Sequence, residues 1–304
     1  MKVLCIDGGG IRGVFAVAIL DEIEKELGKP VGEAFDMIAG TSTGAIIAAS
    51  VALNNKMSEV LDNYKRYAEK IFLRQAKVGL FKTVYSDRYL RRFFQKAFGD
   101  YRLKDIEKPL LIPAVDLTHG NPYVHRTNFG HARTENDLSL KLWDAVLSSC
   151  SAPVYFPPNN VANKFLSIDG GLWANNPSLV CITELMHHFN EKIENMTIVS
   201  IGTGKQQIDF TIKDHKDWGA KEWLPFHLPS FKVTPKLLDL ALHLSSESIS
   251  YQCEQLLKDK YVRINEDLGK EVPFDEVRAM DDLVKLAATC LTREKKKILQ
   301  VIGQ

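Results

Sequence analysis

The sequence has no long apolar run, no paired cysteines and almost no net charge, and each absence excludes a class of protein. No stretch approaches the ~18 consecutive apolar residues of a membrane-spanning helix, and the opening run KVLCI stops at Asp7 after a strand's length. That opening is no secretory leader, so a soluble, cytoplasmic protein is expected. The five cysteines, Cys5, Cys150, Cys181, Cys253 and Cys290, are odd in number and far apart, with no CxxC pair and no histidine at zinc-finger spacing. Reduced thiols and no metal are expected from that usage. A formal charge of +1 gives no reason to expect a nucleic acid polymer as partner. Repeats, low-complexity tracts and Gly/Ser linkers are also missing. With 304 residues, 45% of them hydrophobic, the chain is expected to fold as one α/β domain over 1–304.

What is present is a succession of short apolar runs alternating with helical patterns. KVLCI and FDMIAG are bounded by glycine and read as buried parallel strands. VFAVAILDEIEKELG reads as a helix ending at Gly28, and TGAIIAASVAL as a helix apolar on nearly every face, hence a core helix. The same alternation continues through LLIPAVDL, SLKLWDAVLSS, FLSIDGG, SLVCITELMHHF and MTIVSIGTG, which implies a mainly parallel, doubly wound sheet. From about Lys205 the pattern changes to an aperiodic stretch rich in Trp, Phe and Pro, read as a long loop or cap. A helix near PKLLDLALHLSSESISYQCEQLLKD, a strand near KYVRIN and an amphipathic terminal helix from about Asp281 complete the chain.

Three of the strand ends carry glycines. The first, Gly8-Gly9-Gly10-Ile11-Arg12-Gly13, satisfies G-x-G-x-x-G between a strand and a helix. Bare backbone at that position suits either the phosphates of a dinucleotide or the negative charge of a transition state. A dinucleotide site also calls for an acid at the end of the second strand, where this chain has Gly40-Thr41-Ser42-Thr43-Gly44. That G-x-S-x-G on a strand-to-helix turn presents Ser42 as a nucleophile, with Gly40 and Gly44 relieving the crowding around it. The third strand end offers an acid, Asp169, followed by Gly170 and Gly171. None of the eight histidines is read as a catalytic base, each being expected as a surface or packing residue.

Taken together, Asp7 to Gly13, Gly40 to Gly44 and the stretch DGGLWANNP resemble the blocks of the patatin-like phospholipases, and SCSAPVYFPP and VSIGTG are similar to the family's remaining ones. The resemblance covers residues 1–205, with a cap loop and C-terminal helices over 205–304. It implies a three-layer α/β/α fold and a lipid acyl hydrolase of the phospholipase A or lysophospholipase type. It assigns Ser42 and Asp169 as a catalytic dyad, Gly8, Gly9 and Gly10 as the oxyanion hole, and Arg12 as a binder of phospholipid phosphate or a partner of a carboxylate. No cofactor is implied. Some bacterial members with this layout are antiphage effectors switched on by cyclic nucleotides, so the resemblance extends to such an activator. Outside the resemblance, a nucleotide-binding module and an esterase acting on other substrates are the competing readings.

Residues 70–104 hold ten Lys or Arg against two Asp, interleaved with Phe and Tyr. Such a segment suits peripheral contact with an anionic lipid surface, a phosphorylated ligand, or an ordinary helical pair with a solvated basic face. Trp218, Trp223, Phe226 and Phe231 read as an interfacial lid, a contact between copies in a homo-oligomer, or a packed cap.

Overall fold

Short runs of β-branched and apolar residues bury both of their faces when they sit in the middle of a sheet covered on two sides. The computed structural model, which describes residues 1–73, 75, 83–129, 135–206, 226–227, 232–233 and 236–303, has that arrangement. The strands are β1 (Lys2–Ile6), β2 (Met37–Gly40), β3 (Leu110–Asp116), β4 (Asn121–Arg126), β5 (Asn159–Val161), β6 (Phe165–Asp169), β7 (Thr197–Ile201), a two-residue pair β8 (Phe226–His227) and β9 (Lys232–Val233), and β10 (Tyr261–Ile264). The helices are α1 (Gly13–Leu27), α2 (Thr43–Ala52), α3 (Met57–Ile71), α4 (Asp87–Phe98), α5 (Glu135–Leu138), α6 (Leu142–Cys150), α7 (Gly171–Ala174), α8 (Ser178–His188), α9 (Lys236–Leu257) and α10 (Met280–Ile302).

The sheet runs β10-β7-β1-β2-β3-β6-β5, with β4 on the free edge of β3. Side chains alternate across it as the period of two demands. Leu4, Ile6, Ile38 and Ile112 pack into one core with α1, α2, α4, α6 and α10. Val3, Cys5, Met37 and Ala39 face the other way, against α8 and α9. The architecture is therefore the expected three-layer α/β/α. Helix α1 stops at Gly28, whose φ of 64° and N–H to the Glu24 carbonyl (3.0 Å) close its last turn. The expected core helix is α2, with eight of its ten residues buried.

The sheet differs from a uniformly parallel one at the strand that carries Asp169. From β10 through β3 all neighbours are parallel. Strand β6 is antiparallel to β3. Because β4 occupies one edge of β3 along its whole length, β2 and β6 must share the other edge. Strand β2 pairs with the start of β3 at Leu110 and Leu111, and β6 with its end at Ala114 to Asp116. The two strands thus approach head-on, and their C-terminal ends, one leading to Ser42 and the other ending in Asp169, meet in the middle of that edge. Strand β4 had not been anticipated, since Pro122 and its half-exposed residues are edge-strand features that mimic a loop. The helix read over 139–149 begins at Leu142, after Lys141 bridges to Arg102. Trp218, Trp223 and Phe231, and residues 74 and 76–82 of the basic segment, lie outside the described residues.

Candidate active site

The serine sits in a backbone conformation that only close packing sustains. Ser42 has φ 54° and ψ −123°, outside the regions open to most L-residues. A Cβ on Gly40 would lie 2.0 Å from the Gly44 carbonyl oxygen, and one on Gly44 would lie 2.2 Å from that of Ile6. Both glycines are therefore required for strand and helix to turn this tightly. The Ser42 N–H donates to Ser149 Oγ (2.8 Å), whose own hydroxyl donates to the Pro113 carbonyl (2.5 Å). On the other side, the Cys150 thiol lies 3.1 Å from the Ser42 carbonyl. One residue earlier, Thr41 donates its N–H to Ile6 O (3.1 Å) and its hydroxyl to Ala174 O (2.6 Å).

These contacts aim the side chain at one partner. Ser42 Oγ donates to Asp169 Oδ2 at 2.6 Å, and both residues are buried. The second carboxylate oxygen, Oδ1, accepts from the Gly171 N–H at 2.7 Å. Gly170 is a glycine because a Cβ there would lie 2.2 Å from the Pro113 carbonyl oxygen. Burial raises the Asp169 pKa from its ordinary 3.8 to about 6, against the lowering effect of the Ser42 and Gly171 hydrogen bonds.

The glycine turn lies against this pair. A Cβ on Gly8 would come 3.1 Å from the Ser42 Cβ. Its N–H, however, already donates to the Asn175 carbonyl (3.1 Å), while its own carbonyl accepts from Thr203 Oγ1 (2.8 Å). Gly8 therefore shapes the turn, and its amide is engaged. Among the described residues the N–H groups of Gly9 and Gly10 have no acceptor, and neither does that of Thr43 at the start of α2. Side chains fill the space the three glycines leave, with Asn175 against Gly8, Thr203 against Gly9 and Phe274 against Gly10. Arg12 is buried and donates from Nε to the Gly9 carbonyl (3.2 Å). Burial lowers its pKa, and the nearby Asp239 carboxylate opposes that shift.

The turn is also held from below by residues the sequence did not single out. Asp7 accepts from Arg263 at both oxygens, 2.8 Å at Oδ1 and 2.5 Å at Oδ2, and from Ser246 Oγ at 2.6 Å. Arg263 comes from β10 and Ser246 from α9, more than 200 residues away in sequence, so no local pattern could have revealed them.

A largely apolar cavity opens beside the serine. Its wall combines Ser42, Thr43 and Gly10 with Ile46, Tyr64, Ala68, Phe93, Phe156 and Phe274. The Tyr64 hydroxyl is tied to Thr43 Oγ1 at 2.5 Å. A second, polar cavity lies across the turn and includes Gly9, Arg12, Asn175, Asp239 and His243. Among the described residues there is no cluster of His, Cys, Asp or Glu fit to hold a metal ion, and no helix long and apolar enough to cross a membrane.

Comparison with known proteins identifies the family. The chain is 28% identical over 315 residues to Patatin-like protein 1 of Arabidopsis thaliana, covering 88% of this chain and 74% of that protein. It is 28% identical to a cGAMP-activated phospholipase of Pseudomonas aeruginosa, covering 96% and 86% of the two chains. A second cGAMP-activated phospholipase, from Escherichia coli, is 34% identical over 221 residues, covering 67% and 62%. The family model described as patatin-like phospholipase matches residues 4–182, a span that includes the glycine turn, the serine elbow and Asp169. More than half of the chain fits that model, and the chain belongs to the patatin-like phospholipase family.

Proposed function

We propose that the protein hydrolyses the fatty-acyl esters of membrane phospholipids through a Ser42–Asp169 dyad. The observation that carries this reading is the 2.6 Å hydrogen bond from the strained Ser42 hydroxyl to a buried carboxylate, at the wall of an apolar cavity. Ser42 Oγ attacks the ester carbonyl as its proton passes to Asp169 Oδ2. The tetrahedral intermediate collapses when Asp169 returns that proton to the departing lysophospholipid alcohol. Water then repeats the sequence on the acyl-enzyme and frees the fatty acid. The N–H groups of Gly9, Gly10 and Thr43 are the donors available for the oxyanion, each worth on the order of 3 kcal/mol in the transition state. The apolar cavity suits an acyl chain, and Arg12 beside the polar cavity suits a phosphate.

An ordinary carboxylate is a feeble base for a hydroxyl, and burial is what improves Asp169. Its pKa of about 6 sets an acid limb, with kcat/KM falling about tenfold per pH unit below that value and flat above it. Similarity to the cGAMP-activated phospholipases supports a cyclic-nucleotide activator for this chain and a role in antiphage defence.

Mass spectrometry of the products from mixed phospholipid liposomes tests the reading, comparing wild type with Ser42→Ala, each with and without a panel of cyclic di- and oligonucleotides. Free fatty acid and lysolipid from wild type alone are expected. Lipid release that survives Ser42→Ala would refute the nucleophile. A wild type that takes a fluorophosphonate at Ser42 yet releases no lipid product would refute phospholipid as substrate.

A further inference from the structure

The chain carries a charge of only +1, yet one of the two helices next to the apolar cavity is strongly one-sided. Helices α3 and α4 both contribute to that cavity's wall, through Tyr64, Ala68 and Ile71 from the first and Leu90 and Phe93 from the second. On the outer side of α4, Arg88, Arg92 and Lys96 are exposed at i, i+4 and i+8, a spacing that lines them up along one stripe. The only acid on α4 is Asp87, and Arg91 neutralises it at 3.0 Å. Among the described residues Arg88, Arg92 and Lys96 form no ion pair within 4.0 Å of a carboxylate. Beside them on α3 stand exposed Arg66 and Lys70, followed by Leu73, which is 61% exposed. The two helices are joined between the stripes by Tyr67 and Phe93, with ring centroids 5.0 Å apart, and Lys96 Nζ lies 5.9 Å from the centre of the Tyr67 ring. Tyr89, 43% exposed, adds a ring to the α4 side. Glu59, Asp62 and Glu69 are exposed on α3, so the positive character is concentrated on α4.

We infer that the α3–α4 face is where the protein docks on an anionic lipid surface, with Arg88, Arg92 and Lys96 against the headgroups and Leu73 and Tyr89 at the interface. This rests on the phospholipase reading and gives it an orientation, because the helices that meet the bilayer are the ones that wall the cavity over Ser42. Unpaired cations along one helix are attracted by a negative leaflet within a Debye length, and exposed aromatic and aliphatic side chains add interfacial contact. A neutral surface offers the cations nothing.

The test uses the full chain in a Ser42→Ala background, so that vesicles stay intact. Co-sedimentation is measured with vesicles of phosphatidylcholine alone and of phosphatidylcholine and phosphatidylglycerol in equal parts. Binding to the anionic vesicles only, weakened by salt, is expected. The pair Arg88→Glu and Arg92→Glu should lower the partition coefficient roughly 30-fold or more, since each basic residue contributes about fivefold. In a Ser42-intact protein, the same pair should leave hydrolysis of soluble p-nitrophenyl butyrate unchanged, which shows that the site is folded. If that activity falls, Arg88→Gln with Arg92→Gln replaces the reversal, and the same loss of vesicle binding is required. Equal binding to both vesicle types, or undiminished binding of the folded charge variants, overturns the proposal. Failure of the phospholipase reading looks different, with anionic vesicles bound through α4 but no acyl chain released by the Ser42-intact protein.

Discussion

Replacing Asp169 with asparagine should make the protein more stable while abolishing its activity, and the stability gain should depend on pH. The Asp169 carboxyl has an ordinary pKa of 3.8 and, in the folded protein, one of about 6. A raised folded pKa means that the folded state holds the proton more tightly than the unfolded one. Stability from this group is therefore complete below about pH 4, declines as pH rises through the window between the two values, and stays at its lower level above about 6. At 1.36 kcal/mol per pH unit, the ionised carboxylate costs the fold ~3 kcal/mol at pH 8. An amide is neutral at every pH and removes that cost. It keeps one oxygen for the Gly171 N–H but bonds less strongly to Ser42, a loss of about 1 kcal/mol. The net expectation is a gain of about 2 kcal/mol at pH 8, or roughly 3 °C in Tm for a chain of this length. At pH 4.5 wild-type Asp169 is itself mostly protonated, and the gain should largely vanish. Thermal melts of the two proteins at pH 4.5, 6 and 8, with esterase activity measured on the same samples, check this. An Asp169→Asn protein equally or less stable than wild type at pH 8, with no trend in the difference, would refute the claim that burial strains this carboxylate.

Two further substitutions probe the scaffold around the dyad. Gly44→Ala sets a Cβ 2.2 Å from the Ile6 carbonyl oxygen and 2.7 Å from that of Asp7, both backbone atoms of the neighbouring strand end. A loss on the order of 3 kcal/mol or more in urea unfolding is expected, and a shift under 1 kcal/mol would show that the elbow tolerates slack. Arg263→Met leaves the Asp7 carboxylate buried and without its two charged donors, for an expected loss of about 3–5 kcal/mol. Arg263→Lys should recover part of this, and a Met variant as stable as wild type would mean that Ser246 and water suffice for Asp7.

The strands and helices next to the site were legible because their signals are local. KVLCI, FDMIAG and MTIVSIGTG are apolar at most strand positions, which suits strands covered on both faces, and β1, β2 and β7 are those strands. The glycines at 8–10, 40, 44 and 170 stand where a chain turns or another backbone approaches, so they marked the turns before the contacts were known. The sequence could not show that β6 runs against β3. An antiparallel reversal leaves the apolar period unchanged, and the direction of a strand depends on the connection that precedes it. The engaged Gly8 amide was hidden for a related reason, since its acceptor is the carbonyl of Asn175, supplied by a distant turn.

The sequence by itself determined the chemical inventory, namely a serine and an acid at glycine-bearing strand ends, with a bare-backbone turn beside them. It determined this because the φ, ψ demands of such turns restrict which residues can occupy them. Only the tertiary structure decided that Ser42 and Asp169 lie 2.6 Å apart, that burial pushes the Asp169 pKa to about 6, and that Asp7 is held by Arg263 and Ser246. Distances and desolvation depend on what packs around a group, and those neighbours come from segments that are remote in sequence and adjacent only after the sheet has formed.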